Sequence, residues 1–475
     1  MHARLSWLAS LLCVATLSTL NAAAADGRLA DAVQARDAKA TRALLQQHLD
    51  VDAPQPDGTT ALHWATHWDE LDIVDQLLRA GANPNAVNDL GVPPLLLACT
   101  NGSAKVVARL LAGGASPDSA LRTGESALMS AARGGSVDIV QLLLSRRANV
   151  NVVERVRGQT ALMWAAAASH PDVVDLLIRS GADVHARSAR GTTPLLFAAR
   201  AGDLASARAL VAGGADVNEA EPVIPLPPGA DANETLPTGN SALMLASASM
   251  NATSGFEYAL TVKPSGHEAV ALFLLENGAD VTKADTIGAT PLHAAVQTNK
   301  PALVKALLAH GADPNARLTK APPPLRGDFQ AYTQYVGATP LWYAANARYP
   351  DLEILRALIA AGADTRVVVQ DGTTALMAAV GMAQNDARRA DEAEALEVVK
   401  VLVANGANVN AVNRTGQAAL HGAARAGENT IVRFLAEHGA ALDIKDRQGR
   451  TALDIARDPI RPLDSTAAVL QSFAR

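Results

Sequence analysis

The stretch that decides the fold is Gly288–Arg317, GATPLHAAVQTNKPALVKALLAHGADPNAR. Thr290 and Pro291 are typical of a helix start, because threonine caps the first turn and proline presets its first φ angle. A second helix follows, with a stripe of leucine and valine that begins at Leu303. Gly311 ends this helix, since glycine supplies the left-handed backbone of a helix stop. The stretch therefore predicts two antiparallel helices and an outward loop.

The same pattern recurs along the chain, each time behind a glycine. These glycines are Gly58, Gly91, Gly124, Gly158, Gly191, Gly239, Gly288, Gly337, Gly372, Gly416 and Gly449. Six of the ten spacings between them are 33 to 35 residues, and the other four are 44 to 49. The pattern resembles the ankyrin repeat in its Thr-Pro-Leu-His-x-Ala signature and its period of about 33 residues. The resemblance implies an all-α fold, an ankyrin-repeat solenoid of about 12 helix-turn-helix units with protruding hairpin loops.

A periodic chain of 475 residues is better interpreted as one continuous solenoid than as several globular domains. Residues 26–57 contain two helical patterns without the signature and form a predicted N-terminal capping repeat. Residues 58–448 contain ten repeats. Residues 449–475 form the C-terminal capping repeat, with a final helix expected near Ser465 to Phe473. Capping units cover the ends of such a stack and keep it soluble.

The first 25 residues predict a secretory signal peptide. A basic start precedes an apolar run, and the small residues Ala23 and Ala25 follow it. The run is shorter than the ~20 residues that cross a bilayer, which makes an uncleaved anchor the weaker interpretation. No other segment is long and apolar enough to span a membrane. We therefore expect a secreted protein, periplasmic or extracellular, without a membrane span after cleavage.

Several side chains depart from the commonest residue at their repeat position. Cys99, the only cysteine after signal removal, is expected to be buried filler between helices. Methionine fills the signature histidine position in four units, and we expect it to pack between helices. These residues are Met129, Met163, Met244 and Met377. Arg147 replaces the glycine that ends a second helix, so we expect strain or a shifted helix end there.

Four insertions account for the long spacings. Two lie in the hairpin region, at 221–237 and 318–336, and two lie between paired helices, at 251–267 and 381–397. Proline and glycine make the first three in chain order irregular loops, while the charged fourth, 381–397, could extend the second helix. A rigid scaffold can hold such loops out without altering its core, so insertions often carry function.

Neither composition nor motifs indicate catalysis. The net charge of −6 argues against a nucleic-acid binder, which should show a basic face. The chain has no nucleophile elbow, phosphate-binding loop, dinucleotide fingerprint, H-E-x-x-H or C-x-x-C motif. We predict a protein that is not an enzyme and has no cofactor.

The pair His63 and His67 is the nearest approach to a metal site, because the two side chains lie one helical turn apart. Zinc sites need three or four ligands, and no third is evident nearby, so no metal is predicted. The resemblance to ankyrin repeats implies a structural role instead. Signature histidines, here His63, His293 and His421, hydrogen-bond between adjacent turns in that family.

The residue after each signature position forms what we call the groove column, because the resemblance implies that it points into the concave groove. The column consists of Trp64, Leu97, Ser130, Trp164, Phe197, Leu245, Ala294, Tyr343, Ala378, Gly422 and Ile455. It is unusually aromatic for an exposed column. Large exposed apolar side chains indicate a partner, and aromatics dominate binding hot spots. The alternative is that these rings pack over neighbouring helices.

Aromatic residues also concentrate in one third of the chain. Of the 15 that remain after signal removal, 10 lie between Phe197 and Tyr349, and several belong to insertions. Loop aromatics either anchor a loop to the scaffold or contact a partner. The candidate partner-binding residues are Trp64, Trp68, Trp164, Phe197, Leu245, Phe329, Tyr332, Tyr335 and Tyr343.

The sequence thus favours a non-catalytic protein-protein interaction scaffold of the periplasm or cell exterior. It would bind a partner protein, not identified by the sequence, through the concave face and the inserted loops. One alternative is an accessory subunit that supports a secreted enzyme, such as a redox or oxidative-stress enzyme. Another is a small-molecule or metal binder that uses Trp64, His67 and Trp68.

Overall fold

A computed structural model describes residues 26–47, 49–223, 239–248, 266–320, 335–383 and 390–474. The predicted signal peptide, most of the first three insertions and the middle of the fourth lie outside these ranges, as do Phe329 and Tyr332. The described residues contain 24 α-helices, no strand and two isolated β-bridges. The predicted all-α fold is confirmed. The described chain divides into two compact units, one that ends at Arg122 and one that begins at Thr123.

The first unit contains three helix pairs. Its helices are Arg28–Gln34 with Ala38–Leu45, Ala61–His67 with Leu71–Arg79, and Pro94–Asn101 with Ala104–Ala112. The pair at 28–45 lies in residues 26–57, the predicted N-terminal capping repeat. Successive first helices pack against one another, and so do the second helices Leu71–Arg79 and Ala104–Ala112. Cys99 is buried in this unit, as expected, and burial raises the pKa of its thiol to about 12.

The second unit contains nine helix pairs. Its first helices are Ala127–Arg133, Ala161–Ala167, Pro194–Ala201, Ala242–Ser247, Pro291–Gln297, Pro340–Ala345, Ala375–Ala379, Ala419–Ala426 and Ala452–Ala456. Its second helices are Val137–Ser145, Pro171–Arg179, Leu204–Ala212, Gly266–Glu276, Pro301–Ala309, Leu352–Ala360, Glu392–Ala404, Asn429–Glu437 and Asp464–Phe473. The helix expected near Ser465 to Phe473 is the last of these. The four signature methionines are buried between helices.

In the repeat that begins at Gly288, a glycine and the signature histidine set the ends of the helices. Gly311 has a φ of +87°, as the helix-stop prediction requires. At the helix start, the Thr290 N–H donates to Nδ1 of His293 at 3.2 Å. Nε2 of His293 donates to the carbonyl of Ala338 in the next repeat at 3.3 Å. One buried side chain therefore both caps its own helix and ties it to its neighbour.

Several second helices are followed by a loop asparagine whose side chain joins two successive repeats. In Asn410, Nδ2 donates to the Gly439 carbonyl at 2.9 Å, and Oδ1 accepts from the Ala441 N–H at 2.7 Å. The same side-chain bridge starts from Asn85, Asn151, Asn218, Asn315 and Asn410. The bridges fix the spacing of the stack at its loop end.

Inserted chain does not interrupt this stack. The bridge from Asn218 reaches Gly278 across 60 residues and two insertions, whereas the bridge from Asn85 reaches Gly114 across 29. The fourth insertion does lengthen the second helix, as predicted. That helix begins at Glu392, capped by the Asp391 side chain, and has 13 residues where its neighbour Leu352–Ala360 has 9.

Arg147 adopts a left-handed backbone, with a φ of +66°. Its N–H donates to the Leu144 carbonyl at 2.9 Å, so the helix ends at the same point as in units that have glycine. Of the two expected outcomes, the strained backbone is the one observed. Among the described helices, none has both the length and the apolar character needed to cross a membrane.

Candidate partner-binding surface

The groove column is more buried than the sequence suggested. Trp64, Leu97, Trp164, Phe197 and Tyr343 are half-buried. The others are buried, namely Ser130, Leu245, Ala294, Ala378, Gly422 and Ile455. Leu245 is 7% exposed, which corrects the expectation that it offers a contact surface. The first helices of the preceding and following repeats pack against the helix that carries Leu245 and cover this side chain.

Trp64 and Trp68 form a stacked aromatic pair in the first unit. Their rings lie 6.3 Å apart with an interplanar angle of 20°, and His67 contacts both rings edge-on. Nε1 of Trp64 donates to the side chain of Gln55 at 2.7 Å. The Arg36 guanidinium lies over the Trp68 ring at 5.7 Å. Trp68 is 37% exposed, so this pair presents an oriented, partly exposed aromatic surface.

His63 is fully engaged within the protein. Its Nδ1 accepts from the Thr60 N–H at 3.2 Å, and its Nε2 donates to the Val92 carbonyl at 2.9 Å. This is the between-turn role that the resemblance implied. Burial lowers the pKa of both His63 and His67, which favours their neutral forms. In the described parts of the chain, no three His, Cys, Asp or Glu side chains come together as metal ligands.

Trp164, in the second unit, also contacts an arginine. The Arg133 guanidinium lies over it at 4.6 Å, within the range of a cation–π interaction. Arg133 in turn donates to the Glu125 carboxylate at 3.2 Å. Burial raises the pKa of Glu125, an effect that Arg133 opposes and the nearby Glu154 reinforces. The three side chains thus form a partly dehydrated chain of contacts around one indole.

Phe197 lies in the next repeat, at the same position of the groove column as Trp164. Its helix ends near Arg200, whose guanidinium contacts the Glu221 carboxylate at the start of the first insertion. The other oxygen of Glu221 accepts from the Asn240 side chain at 3.0 Å. Glu221 is the first inserted residue and Asn240 follows the insertion, so this network links the two ends of the first insertion to the helix that carries Phe197.

The ends of the third insertion, 318–336, are fixed by an aromatic cluster. Leu318 is buried against Trp342, and the ring of Tyr335 lies 5.0 Å from Trp342 and 6.0 Å from Tyr343. Burial raises the pKa of the Tyr343 hydroxyl, and its hydrogen bond with Gln297 acts in the opposite sense. Of the two roles open to loop aromatics, Tyr335 therefore has the contacts of a loop anchor.

The fourth insertion covers the column in a different way. Gly422 occupies the column position, and a Cβ at this residue would lie 2.5 Å from Cγ of Met382 and 2.9 Å from Cγ2 of Val380. The first turn of the insertion therefore packs directly onto the neighbouring first helix. Here the groove column is an attachment point and offers no free surface.

The arginines that contact Trp68 and Trp164 were not predicted from the sequence. Arg36 precedes Trp68, and Arg133 precedes Trp164, by about one repeat length. In each pair the arginine lies at the end of the preceding first helix. An arginine one repeat upstream of a tryptophan is the signal that could have predicted both contacts.

Comparison with known proteins gives the family. The family model described as ankyrin repeats in three copies matches residues 18–88, 70–154, 95–188, 144–221, 222–317 and 387–458. The model for a single ankyrin repeat matches residues 336–368. The chain belongs to the ankyrin repeat family. Proteins of this family are generally scaffolds for protein-protein interaction.

The crystal structure of the ankyrin repeat protein EF0377 is similar to part of the chain. The two are 31% identical over 39% of this chain and 96% of that one, with a TM-score of 0.37. No curated protein matches the chain.

Proposed function

We propose that this chain is a non-catalytic scaffold of the periplasm or cell exterior that captures a partner protein on its first-helix surface. The proposed location is supported by the signal-like N-terminus, a basic start followed by an apolar run and small residues. Enzyme support remains one use of such a scaffold, because an enzyme would bind the same surface.

The arrangement of side chains around Trp164 is the main support for a partner-binding surface. Arg133 covers one face of the indole, and Glu125 holds Arg133 in place. A ring that is already oriented loses little conformational freedom when a partner packs against its remaining surface. Tryptophan and arginine are also the residues most enriched in binding hot spots. Phe197 extends this surface by one unit.

The alternative of a metal or small-molecule site at Trp64, His67 and Trp68 has less support. Both ring nitrogens of His63 hydrogen-bond within the protein, so the paired histidines cannot both bind a metal without breaking the helix cap. The stacked tryptophans instead present a partly exposed surface, which suits contact with a protein segment.

Capture experiments test the proposal. The mature chain, Asp26 to Arg475, is immobilised and exposed to a periplasmic extract of its own organism, and the dominant bound protein is purified. Its affinity is then measured for the wild type, for a Trp164→Ala, Phe197→Ala double variant, and for Phe434→Ala. Phe434 is a matched control, because it is a half-buried ring on a second helix, stacked on His438.

We expect the double variant to lose at least roughly tenfold in affinity and the control to stay within about twofold. Circular dichroism must show that all three proteins are folded. Equal affinity of the double variant and the control would refute the assignment of the surface. Retention of a small ligand or metal, with no bound protein, would refute the scaffold function itself.

A further inference from the structure

Two consecutive hairpin tips of the second unit carry a cluster of arginines. The first tip, 153–157, contains Arg155 and Arg157, and the second, 187–190, contains Arg187 and Arg190. We call these two segments the arginine tips. Arg155, Arg187 and Arg190 are exposed. In a chain with a net charge of −6, such a local excess of positive charge marks a distinct surface.

The one carboxylate within the arginine tips faces inward, away from the solvent. Glu154 is 5% exposed and points into its own loop. Its oxygens accept from the backbone N–H groups of Val156 at 2.6 Å and Arg157 at 2.7 Å, and also from that of Gln159 at 3.1 Å. This carboxylate shapes the first tip from inside, so its hydrogen-bonding capacity is used by the backbone.

Carboxylates elsewhere in the described chain do not pair with the three exposed arginines either. No ion pair forms between any described acid and Arg155, Arg187 or Arg190. By contrast, Arg179 on the second helix Pro171–Arg179 pairs with Asp175 one turn away at 2.6 Å.

The backbone holds the two tips side by side. The Ala189 N–H donates to the Arg157 carbonyl at 2.7 Å. Gly158 permits this close approach, because its φ is +66° and a Cβ there would lie 2.7 Å from the Ala189 nitrogen. The backbones of the two tips are therefore held side by side, and any repulsion between their like charges would be relieved by an anionic partner.

Apolar side chains lie among these charges. Val153 is 53% exposed and Val156 is 68% exposed, both on the first tip. A purely electrostatic phosphate-binding surface has no use for exposed valines. A protein segment that alternates acidic and apolar side chains could pair its carboxylates with arginine, which binds them in a bidentate manner, and cover the valines with its apolar side chains.

We propose that the arginine tips bind an acidic segment of the partner protein in which carboxylates are interspersed with apolar residues. This inference rests on the proposed scaffold function and adds the chemistry of the partner. The acidic segment docks on the tips and the body of the partner packs on Trp164 and Phe197.

A synthetic peptide of about 12 residues that alternates glutamate and valine tests the inference, with a glutamine-valine peptide as its uncharged counterpart. Binding to the full mature chain is followed by fluorescence anisotropy at low and at high salt. The test variant is Arg155→Ala with Arg190→Ala. The matched control is Arg414→Ala with Arg447→Ala. The Arg414 and Arg447 N–H groups make the same hairpin-to-hairpin bond as that of Arg155, and both side chains are exposed.

We expect the glutamate peptide to bind, the test variant to weaken it roughly tenfold, and the control variant to change it less than about twofold. Raising the salt from about 0.05 M to 0.5 M should weaken binding to the wild type more than to the test variant. Equal binding of the glutamine peptide, or equal losses in both variants, would overturn the inference.

Two further competitors separate a protein segment from other polyanions. Single-stranded oligothymidylate and phosphatidylglycerol vesicles are titrated against the labelled glutamate peptide, with concentrations expressed as total negative charge. If either displaces the peptide at a lower charge concentration than the unlabelled peptide does, the assignment to a protein segment is overturned. If the glutamate peptide does not bind as expected, the scaffold function can still be tested separately. If capture still depends on Trp164 and Phe197 but not on Arg155 and Arg190, the function stands and the inference about the tips falls.

Discussion

Replacing Tyr335 by alanine should loosen the third insertion and the first helix beneath it. Full truncation of a buried aromatic side chain costs about 3–5 kcal/mol. Tyr335 is half-buried and makes edge-on contacts with Trp342 and Tyr343. Half of the full value, about 2 kcal/mol, is therefore the expected loss in unfolding free energy. Tyr335→Phe keeps the ring and should retain most of the stability.

Urea unfolding followed by circular dichroism measures the global effect, and hydrogen exchange measures the local one. Amides of the helix Pro340–Ala345 should exchange faster by roughly 30-fold, the factor that corresponds to 2 kcal/mol. Tyr349→Ala is the matched control, because this ring is 67% exposed and its loss should cost less than about 0.5 kcal/mol.

A Tyr335→Ala variant that unfolds and exchanges like the wild type and like Tyr349→Ala would contradict the anchor role of this ring. If that variant also bound the partner more weakly, Tyr335 would belong to the binding surface and the anchor role would be wrong. A variant that loses stability but binds the partner normally, once folded, would confirm that the ring only holds the loop.

Three other side chains give independent tests. Burial lowers the pKa of His293 from 6.5 to about 4. The neutral side chain therefore contributes about 3 kcal/mol to the unfolding free energy above pH 6.5, and this contribution is lost as the pH falls to 4. In urea titrations, the unfolding free energy should depend less on pH in His293→Gln than in the wild type, whereas the exposed His310→Ala should resemble the wild type. Gly422→Ala should destabilise by about 1–3 kcal/mol through its clash with Met382, and Met382→Ala should suppress much of that loss in a double-mutant cycle. Arg147→Gly should raise the unfolding free energy by about 0.5–1 kcal/mol, because it relieves the left-handed strain, and an unchanged denaturation midpoint would contradict this.

The frame of the fold could be predicted because it depends on local chemistry that repeats. Gly311 stops its helix by backbone geometry alone, and His293 caps a helix three residues from Thr290. Both effects act within a few residues, so a single sequence reveals them. The helix extension at Glu392 followed in the same way from the charge and length of the fourth insertion.

The candidate surface was harder to predict because side chains from outside the repeat register cover parts of it. Met382 fills the space above Gly422, and Tyr335 packs against Tyr343. Both covering residues come from insertions, whose path no periodicity specifies. Column position alone could therefore not distinguish Trp164, with its cation–π contact, from the buried Leu245.

The asparagine bridge from Asn218 has a consequence for how much chain the scaffold can carry. It joins residues 60 positions apart, where the equivalent bridge from Asn410 spans 29. Closing a flexible loop of twice the length costs only about 0.6 kcal/mol in entropy. Each such junction can therefore accept added chain at small thermodynamic cost. Whole folded modules could be grafted at these junctions, and new recognition elements acquired there, while every helix pair on either side keeps its neighbour.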